Sequence, residues 1–227
     1  MTAQTIEEIR ADFDELADLV EPGASGVDRF DPYLLSLVPP HARGLLDVGC
    51  GLGRLTRAAA RVGRDVIGVD LSPRMIQRAR LESAGAAVTF VEGDFLGIDF
   101  SRRFDCIVSA AAMHHMPGDA ALRRMVQLLA PGGRLVVHDL RRDASVGDLM
   151  RSHSALAGAL LARLYRTGRL LQPRRVRRVW DRHGARERYL SLAEARQLAD
   201  RETPGAAIHY HWLWRYTLVW DKPAAEH

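Results

Sequence analysis

A chain of 227 residues with 47% hydrophobic content has room for one domain of ordinary size and a sizeable core, but not for a second catalytic domain. No run reaches the ~18 consecutive apolar residues of a membrane span, and Met1 to Arg10 is polar without the apolar centre of a secretory signal, so the expectation is a soluble cytoplasmic protein. Cys50 and Cys106 have no partner at disulfide or metal spacing and are read as reduced, and the net charge of +4 is local: ten Arg from Arg163 to Arg188 meet only Asp181 and Glu187, which leaves the rest of the chain acidic.

Residues 1–40 are expected to form a helical cover. Two helices are predicted there, Ile6 to Val20 and Asp28 to Val38, separated by Glu21-Pro-Gly-Ala-Ser-Gly and stopped at Pro39-Pro40. Ile6, Ile9, Phe13, Leu16 and Leu19 recur at spacings of three and four, so the first helix has one apolar face that must pack on something. Tyr33 is open to two readings, a group reaching the site or a buried structural tyrosine.

The core, residues 41–140, begins with Leu45 to Thr56. Leu45, Leu46 and Val48 are an apolar run, a glycine cluster follows, and Arg54 to Val62 resumes at helical spacing: strand, tight loop, helix. Gly49, Gly51 and Gly53 carry no Cβ to hold a ligand away from the backbone. The N–H groups opening the next helix favour an anionic group, while Asp47 at the strand end can neutralise a cation, so the loop suits a zwitterion as well as a phosphate. The glycines fall at G-x-G-x-G, and Arg54 stands where the dinucleotide fingerprint has its last glycine, which weakens a nicotinamide or flavin reading.

Asp65 to Asp70 reads as a second buried strand ending in an acid, with Ser72-Pro73 opening a helix as N-cap and N1. A carboxylate at Asp70 can accept from both hydroxyls of a ribose; the bland alternative is a helix cap. Leu71 and Met75 lie on the following turn. Val88 to Val91 is a third strand, after which Asp94 is placed to accept from an adenine amino group and Phe95 to stack, unless Asp94 is only a loop acid. Phe104 to Ala110 is the fourth strand; small residues at Ser109, Ala110 and Ala111 leave room for a ligand, and His114 and His115 follow where a parallel sheet presents its carboxyl ends, so either imidazole is a general-base candidate. A metal site is not expected, because adjacent ring nitrogens seldom converge and no carboxylate lies at helical spacing. Ala120 to Leu129 is an amphipathic helix stopped by Pro131-Gly132-Gly133, and Arg134 to Leu140 is the fifth strand, carrying His138 and Asp139 at its end.

Residues 141–190 are read as a helical substrate cap that contains the Arg run, with a solvated face as its plain reading and a polyanion surface as the sharper one. Residues 191–227 complete the core: Ser191 and Glu194 form a capping box, a helix runs to Thr203, and Ala206 to His211 with Arg215 to Trp220 form an aromatic-rich hairpin. Together these elements predict a doubly wound, Rossmann-like α/β sheet of seven strands with helices on both faces and a terminal antiparallel hairpin.

The glycine loop resembles motif I of the class I S-adenosylmethionine (SAM)-dependent methyltransferases, of the small-molecule type 11/25 kind, and Gly93-Asp94, His-His-Met-Pro and Leu129-Ala-Pro-Gly-Gly-Arg-Leu follow in that family's order. The resemblance covers Leu45 to Leu140 and, more loosely, Ser191 to Lys222; it does not inform the cap. It implies SAM as cofactor, S-adenosylhomocysteine as product, and in-line displacement at the methyl carbon by N, O or C of a small molecule. Asp47, Gly49, Cys50, Gly51, Gly53, Asp70, Leu71, Met75, Asp94, Phe95 and Ala110 would bind the cofactor. Alignment supplies more of the rate than any base, so His115 is assigned the base role with His114 and His138 in reserve. A monomer or homodimer is expected, without membrane or nucleic-acid partners: the Asn/Asp-Pro-Pro-Tyr and Pro-Cys motifs of nucleic-acid enzymes are missing. The rivals are an RNA or polyanion methyltransferase using the Arg run, and a protein that binds SAM without transferring methyl.

Overall fold

The computed structural model describes residues 4–20, 30–61, 65–143 and 173–225, with scattered positions between 147 and 171. Much of the expected cap between residues 144 and 172 therefore lies outside the described residues, as do residues 28 and 29 of the second predicted helix.

The described chain runs α1 (Ile6–Leu19), α2 (Asp31–Leu37), β1 (Gly44–Val48), α3 (Arg54–Ala60), β2 (Asp65–Asp70), α4 (Pro73–Glu82), β3 (Val88–Glu92), β4 (Phe104–Ala110), a 3₁₀ turn (Met113–His115), α5 (Gly118–Leu128) and β5 (Leu129–Leu140). Further along come α6 (Arg174–Gly184), which falls within the segment read as a cap, α7 (Leu192–Glu202), β6 (Ala207–His211) and β7 (Arg215–Asp221). The seven strands form one sheet in the order β3-β2-β1-β4-β5-β7-β6. The first five are parallel, and β7 enters antiparallel between β5 and β6. This is the doubly wound sheet with a terminal hairpin that the sequence predicts.

Strand alternation distributes the core to two faces. Leu46, Ile107, Leu135 and Val137 pack under α5 and α7, while Leu45, Cys106, Val108 and Val136 pack under α2 and α3. The crossovers through α3 and α4 precede the strand reversal at β1 and the one through α5 follows it, so the chain changes direction between β1 and β4. Ligands of open α/β sheets lie outside the carboxyl ends at such a point.

The start of β5 differs from expectation. β5 begins at Leu129 rather than Arg134: Leu129 pairs with Phe104, and the ladder resumes at Cys106 and Arg134, so Pro131 to Gly133 form a bulge inside the strand rather than a turn before it. Gly132, at φ +74°, donates to the Lys222 carbonyl at 3.0 Å, which fastens the bulge to the end of β7. α1 has an N-terminal lock: Thr5 and Glu8 form a capping box like the one at Ser191 and Glu194. α1 packs on α4 and α6. Asp14 accepts from Ser72 Oγ at 2.5 Å, and Asp12 and Glu15 accept from Arg182 at 2.6 and 2.7 Å. No helix among the described residues is long and apolar enough to cross a membrane.

Candidate functional site

The loop from Gly49 to Gly53 is built by internal bonds. The Gly49 and Cys50 amides both donate to the Val69 carbonyl, at 2.8 and 2.9 Å, Gly51 N–H donates to Asp70 Oδ2 at 2.8 Å, and Gly53 N–H donates to Cys50 O at 2.9 Å. The loop thus has few of the spare amides that cradle a phosphate. Gly49 sits at φ +73°, and a Cβ there would lie 2.2 Å from Ala112 Cβ, so the position admits no side chain. Gly51 borders open space.

A cavity of about 350 Å³ opens beside this loop at the carboxyl ends of β1, β2 and β4, within the size range of small-ligand sites. Of the residues the sequence assigns to a cofactor, Asp47, Gly49, Cys50, Gly51, Asp70, Leu71, Met75, Asp94, Phe95 and Ala110 line it. Gly53 does not. At φ +71° it caps α3, and a Cβ on it would lie 2.5 Å from the Phe90 ring, so it lets α3 sit close to β3, the packing task given to the last glycine of dinucleotide loops.

Three carboxylates converge on the cavity. Asp47, 2% exposed, accepts from Thr56 Oγ1 at 2.6 Å, and burial pushes its carboxyl up to about 6. Burial also raises the Asp70 carboxyl, against the bonds it accepts from Ser72 N–H (2.9 Å) and Gly51 N–H. Asp94 turns its own loop by accepting from Leu96 N–H at 3.0 Å. A carboxylate has about four acceptor sites, so each acid retains capacity toward a ligand. Arg54, on the same wall, is paired with buried Asp31.

Of the three histidines, only His115 lines the cavity. His138 points to the opposite face of β5 from Val137, where Nδ1 meets Thr217 Oγ1 at 2.8 Å and the ring packs on Phe30. His114 is turned to the end of β5, its Nδ1 2.6 Å from Asp139 Oδ1. His115 Nδ1 lies 2.9 Å from Glu187 Oε1, contributed by the turn after α6. Burial holds the His115 imidazole below the ordinary histidine range, against the raising effect of Glu187. His114, His115 and Glu187 each bring a possible ligand atom within 4.8 Å of the others, so a carboxylate that local spacing does not reveal joins the two histidines.

The sequence reading missed several lining groups. Ile6, Ile9 and Phe13 roof the cavity from α1, and Leu96, Met116 and Pro117 extend the apolar wall. The periodicity of α1 reveals an apolar face but not its target.

Residues 45–133 match the family model described as "Methyltransferase domain". The similarity to methyltransferase domains thus lies in the segment that carries the glycine loop and the first strands of the sheet. The chain is 35% identical over 118 residues to a ubiquinone biosynthesis O-methyltransferase of Cereibacter sphaeroides, a match covering 50% of this chain and 48% of that one. The chain spans about half the length of the curated relatives it matches. Among solved methyltransferase structures, the N-methyltransferase NodS of Bradyrhizobium japonicum, in complex with S-adenosylhomocysteine, superposes with a TM-score of 0.62 at 18% identity, covering 95% of this chain and 98% of that one. A methyltransferase of Haloferax volcanii, described as putative and solved with its Trm112 activator, gives 0.66 at 18% identity, over 93% and 97%. These two likenesses are of fold.

Proposed function

We propose that this chain binds SAM at the β1–β4 switch point and transfers its methyl group to N, O or C of a small molecule. The observation that carries the reading is the convergence of Asp47, Asp70 and Asp94 on one cavity beside a loop whose amides are already bonded. A pyrophosphate would meet three carboxylates and few free donors there, whereas a cationic, hydroxyl-rich nucleoside finds acceptors. In this reading Asp70 takes the ribose hydroxyls, Asp94 the adenine amino group, and Asp47 with Gly49 and Gly51 the amino-acid end. Leu71, Met75 and Phe95 flank the base, while Cys50 and Ala110 complete the wall.

When bound, SAM supplies an electrophilic methyl carbon on a sulfonium, which leaves as the neutral thioether S-adenosylhomocysteine. The chain's own contribution is alignment and exclusion of water: α1 roofs the cavity with Ile6, Ile9 and Phe13, and holding reactants in place is worth ~7–11 kcal/mol in favourable cases. His115 is placed to take the acceptor's proton where the acceptor carries one, an effect of ~10²- to 10⁴-fold. The curated relatives named for O-methylation in ubiquinone biosynthesis support a small-molecule acceptor. The polyanion reading loses support, since Arg182 and Arg186 of the Arg run are bound to Asp12, Glu15 and Glu8 of α1. A cytoplasmic monomer or homodimer completes the proposal.

Calorimetry with SAM and NADH, followed by incubation with methyl-labelled SAM and a panel of small amines, phenols and acids, tests the reading. Saturable heat with SAM alone, a loss of at least ~10-fold in affinity on Asp70→Ala and label on a small molecule are expected. Saturation by NADH, or heat without label transfer to any acceptor class, would overturn it.

A further inference from the structure

We infer that Glu187 is the positioning residue for His115: it holds the Nδ1 hydrogen and thereby leaves the Nε2 lone pair as the proton acceptor of the site. The inference rests on the proposed methyl transfer and assigns a role to a residue that the sequence presents only as one of two acids in an Arg run.

The argument starts with donor and acceptor capacity. An ionised carboxylate only accepts, so the 2.9 Å contact between His115 Nδ1 and Glu187 Oε1 requires the hydrogen on Nδ1, and a neutral ring then has its free pair on Nε2. Glu187 is ionised at neutral pH: burial would raise its carboxyl, but His115, His114 and His183 outweigh burial and hold it below the ordinary glutamate range. Its side chain is only 4% exposed, so water competes little for the contact.

The Glu187 backbone is tied to the end of α6, its amide donating to the Gly184 carbonyl at 3.4 Å. Glu187 lies four residues after His183, whose Nε2 is 3.3 Å from the same Oε1 without a hydrogen bond to it and whose Nδ1 is 3.1 Å from Asp12 Oδ2 on α1. Arg182 fixes Asp12 from the outer side at 2.6 Å. A line of polar side chains therefore runs from the cavity wall through His115, Glu187, His183 and Asp12 to the surface, joining the 3₁₀ turn, α6 and α1. The charged and titratable groups around His115 are Glu187 and His183 from α6 and its turn, and His114 from its own turn, with Asp139 behind His114; α1 presents the uncharged Phe13 ring at 5.2 Å. Proton transfer from an acceptor X–H to Nε2 gives an imidazolium with Nδ1–H on Glu187, so the carboxylate stabilises the charge that forms, and the proton leaves later to solvent.

The test uses the full chain labelled with ¹⁵N-histidine. Nitrogen shifts of neutral His115 are expected to place its hydrogen on Nδ1. Glu187→Leu removes both the acceptor and the charge, whereas in Glu187→Gln an amide oxygen still accepts from Nδ1. SAM affinity by calorimetry is expected to stay unchanged in both, while kcat on the acceptor found in the panel falls at least ~10-fold in the Leu variant and less in the Gln variant, with KM unmoved. The acid limb of kcat is expected to move to lower pH in both variants, because the imidazolium loses its counter-charge. A hydrogen on Nε2 in the wild type, or an unchanged kcat–pH profile in the Gln variant, would overturn the inference. So would joint displacement of the His114 and His115 resonances by one equivalent of Zn²⁺, which would make them metal ligands. If no acceptor is methylated, the proposed function fails, while the nitrogen shifts still decide the placement of the hydrogen.

Discussion

Asp47 shows what the site costs the fold. The residue is 2% exposed, its carboxyl accepts from the Thr56 hydroxyl, and desolvation lifts it to about 6 from the ordinary 3.8. The sign follows from that shift. Below pH 3.8 the group is protonated in both folded and unfolded states and costs nothing, and above about 6 the folded state carries the full expense of an ionised buried carboxylate. Asp47→Asn keeps an acceptor for Thr56 and removes the charge. It is expected to raise stability by roughly 1–3 kcal/mol at pH 8, to give little change at pH 4, and to weaken SAM binding. Chemical denaturation at the two pH values checks the first part, and equal stabilisation at both would refute the electrostatic account. Residues of this kind were legible early: a strand ending in Asp, a glycine cluster and two further strand-end acids need only the chain order to be placed on one edge. Choosing between His114 and His115 was not, because adjacent residues on a 3₁₀ turn point to different neighbours, and those neighbours, Asp139 and Glu187, are 25 and 72 residues away.

At the scale of elements, α1 is a roof braced from two sides. Its acids meet Arg182, His183 and Arg186 of the α6 segment on one side and Ser72 and Arg74 at the start of α4 on the other. Part of the local basic excess that the sequence displays is therefore neutralised inside the molecule. The sequence could have revealed the N-terminus of this helix, since Thr5-Ile-Glu-Glu8 has the same form as Ser191-Leu-Ala-Glu194. Its docking site was hidden because amphipathic spacing states that a face is buried and not against what. Asp12→Ala removes the acceptor shared by Arg182 and His183. It is expected to speed protease cleavage within residues 4–20 and to raise the dissociation rate of SAM, with the β-sheet signal in circular dichroism retained. Unchanged cleavage would mean that the apolar contacts of Leu16 and Ala17 hold α1 unaided.

The whole molecule follows one sheet, and the pattern of its central strands made that sheet readable: buried apolar runs joined by helices leave few arrangements. What local pattern could not give was the lateral order, because pairing partners far apart in sequence leave no periodic trace. The same limit applies to the bulge at Pro131 to Gly133, where Pro and Gly read as a turn although the strand ladder passes across them.

The position of β7 has a consequence for synthesis. The seventh strand of the described sheet, made after the other six, lies inside it, zipped to β5 along Arg134 to Leu140 and flanked on its other edge by β6. Until Asp221 has left the ribosome, the nascent domain displays an open β5 border of unpaired peptide groups to every other chain nearby. A chain stopped after Pro204 is expected to collect in inclusion bodies and to recover solubility when a peptide spanning residues 205–225 is supplied in trans. A soluble, monomeric truncation would show that the border is shielded by some other part of the protein.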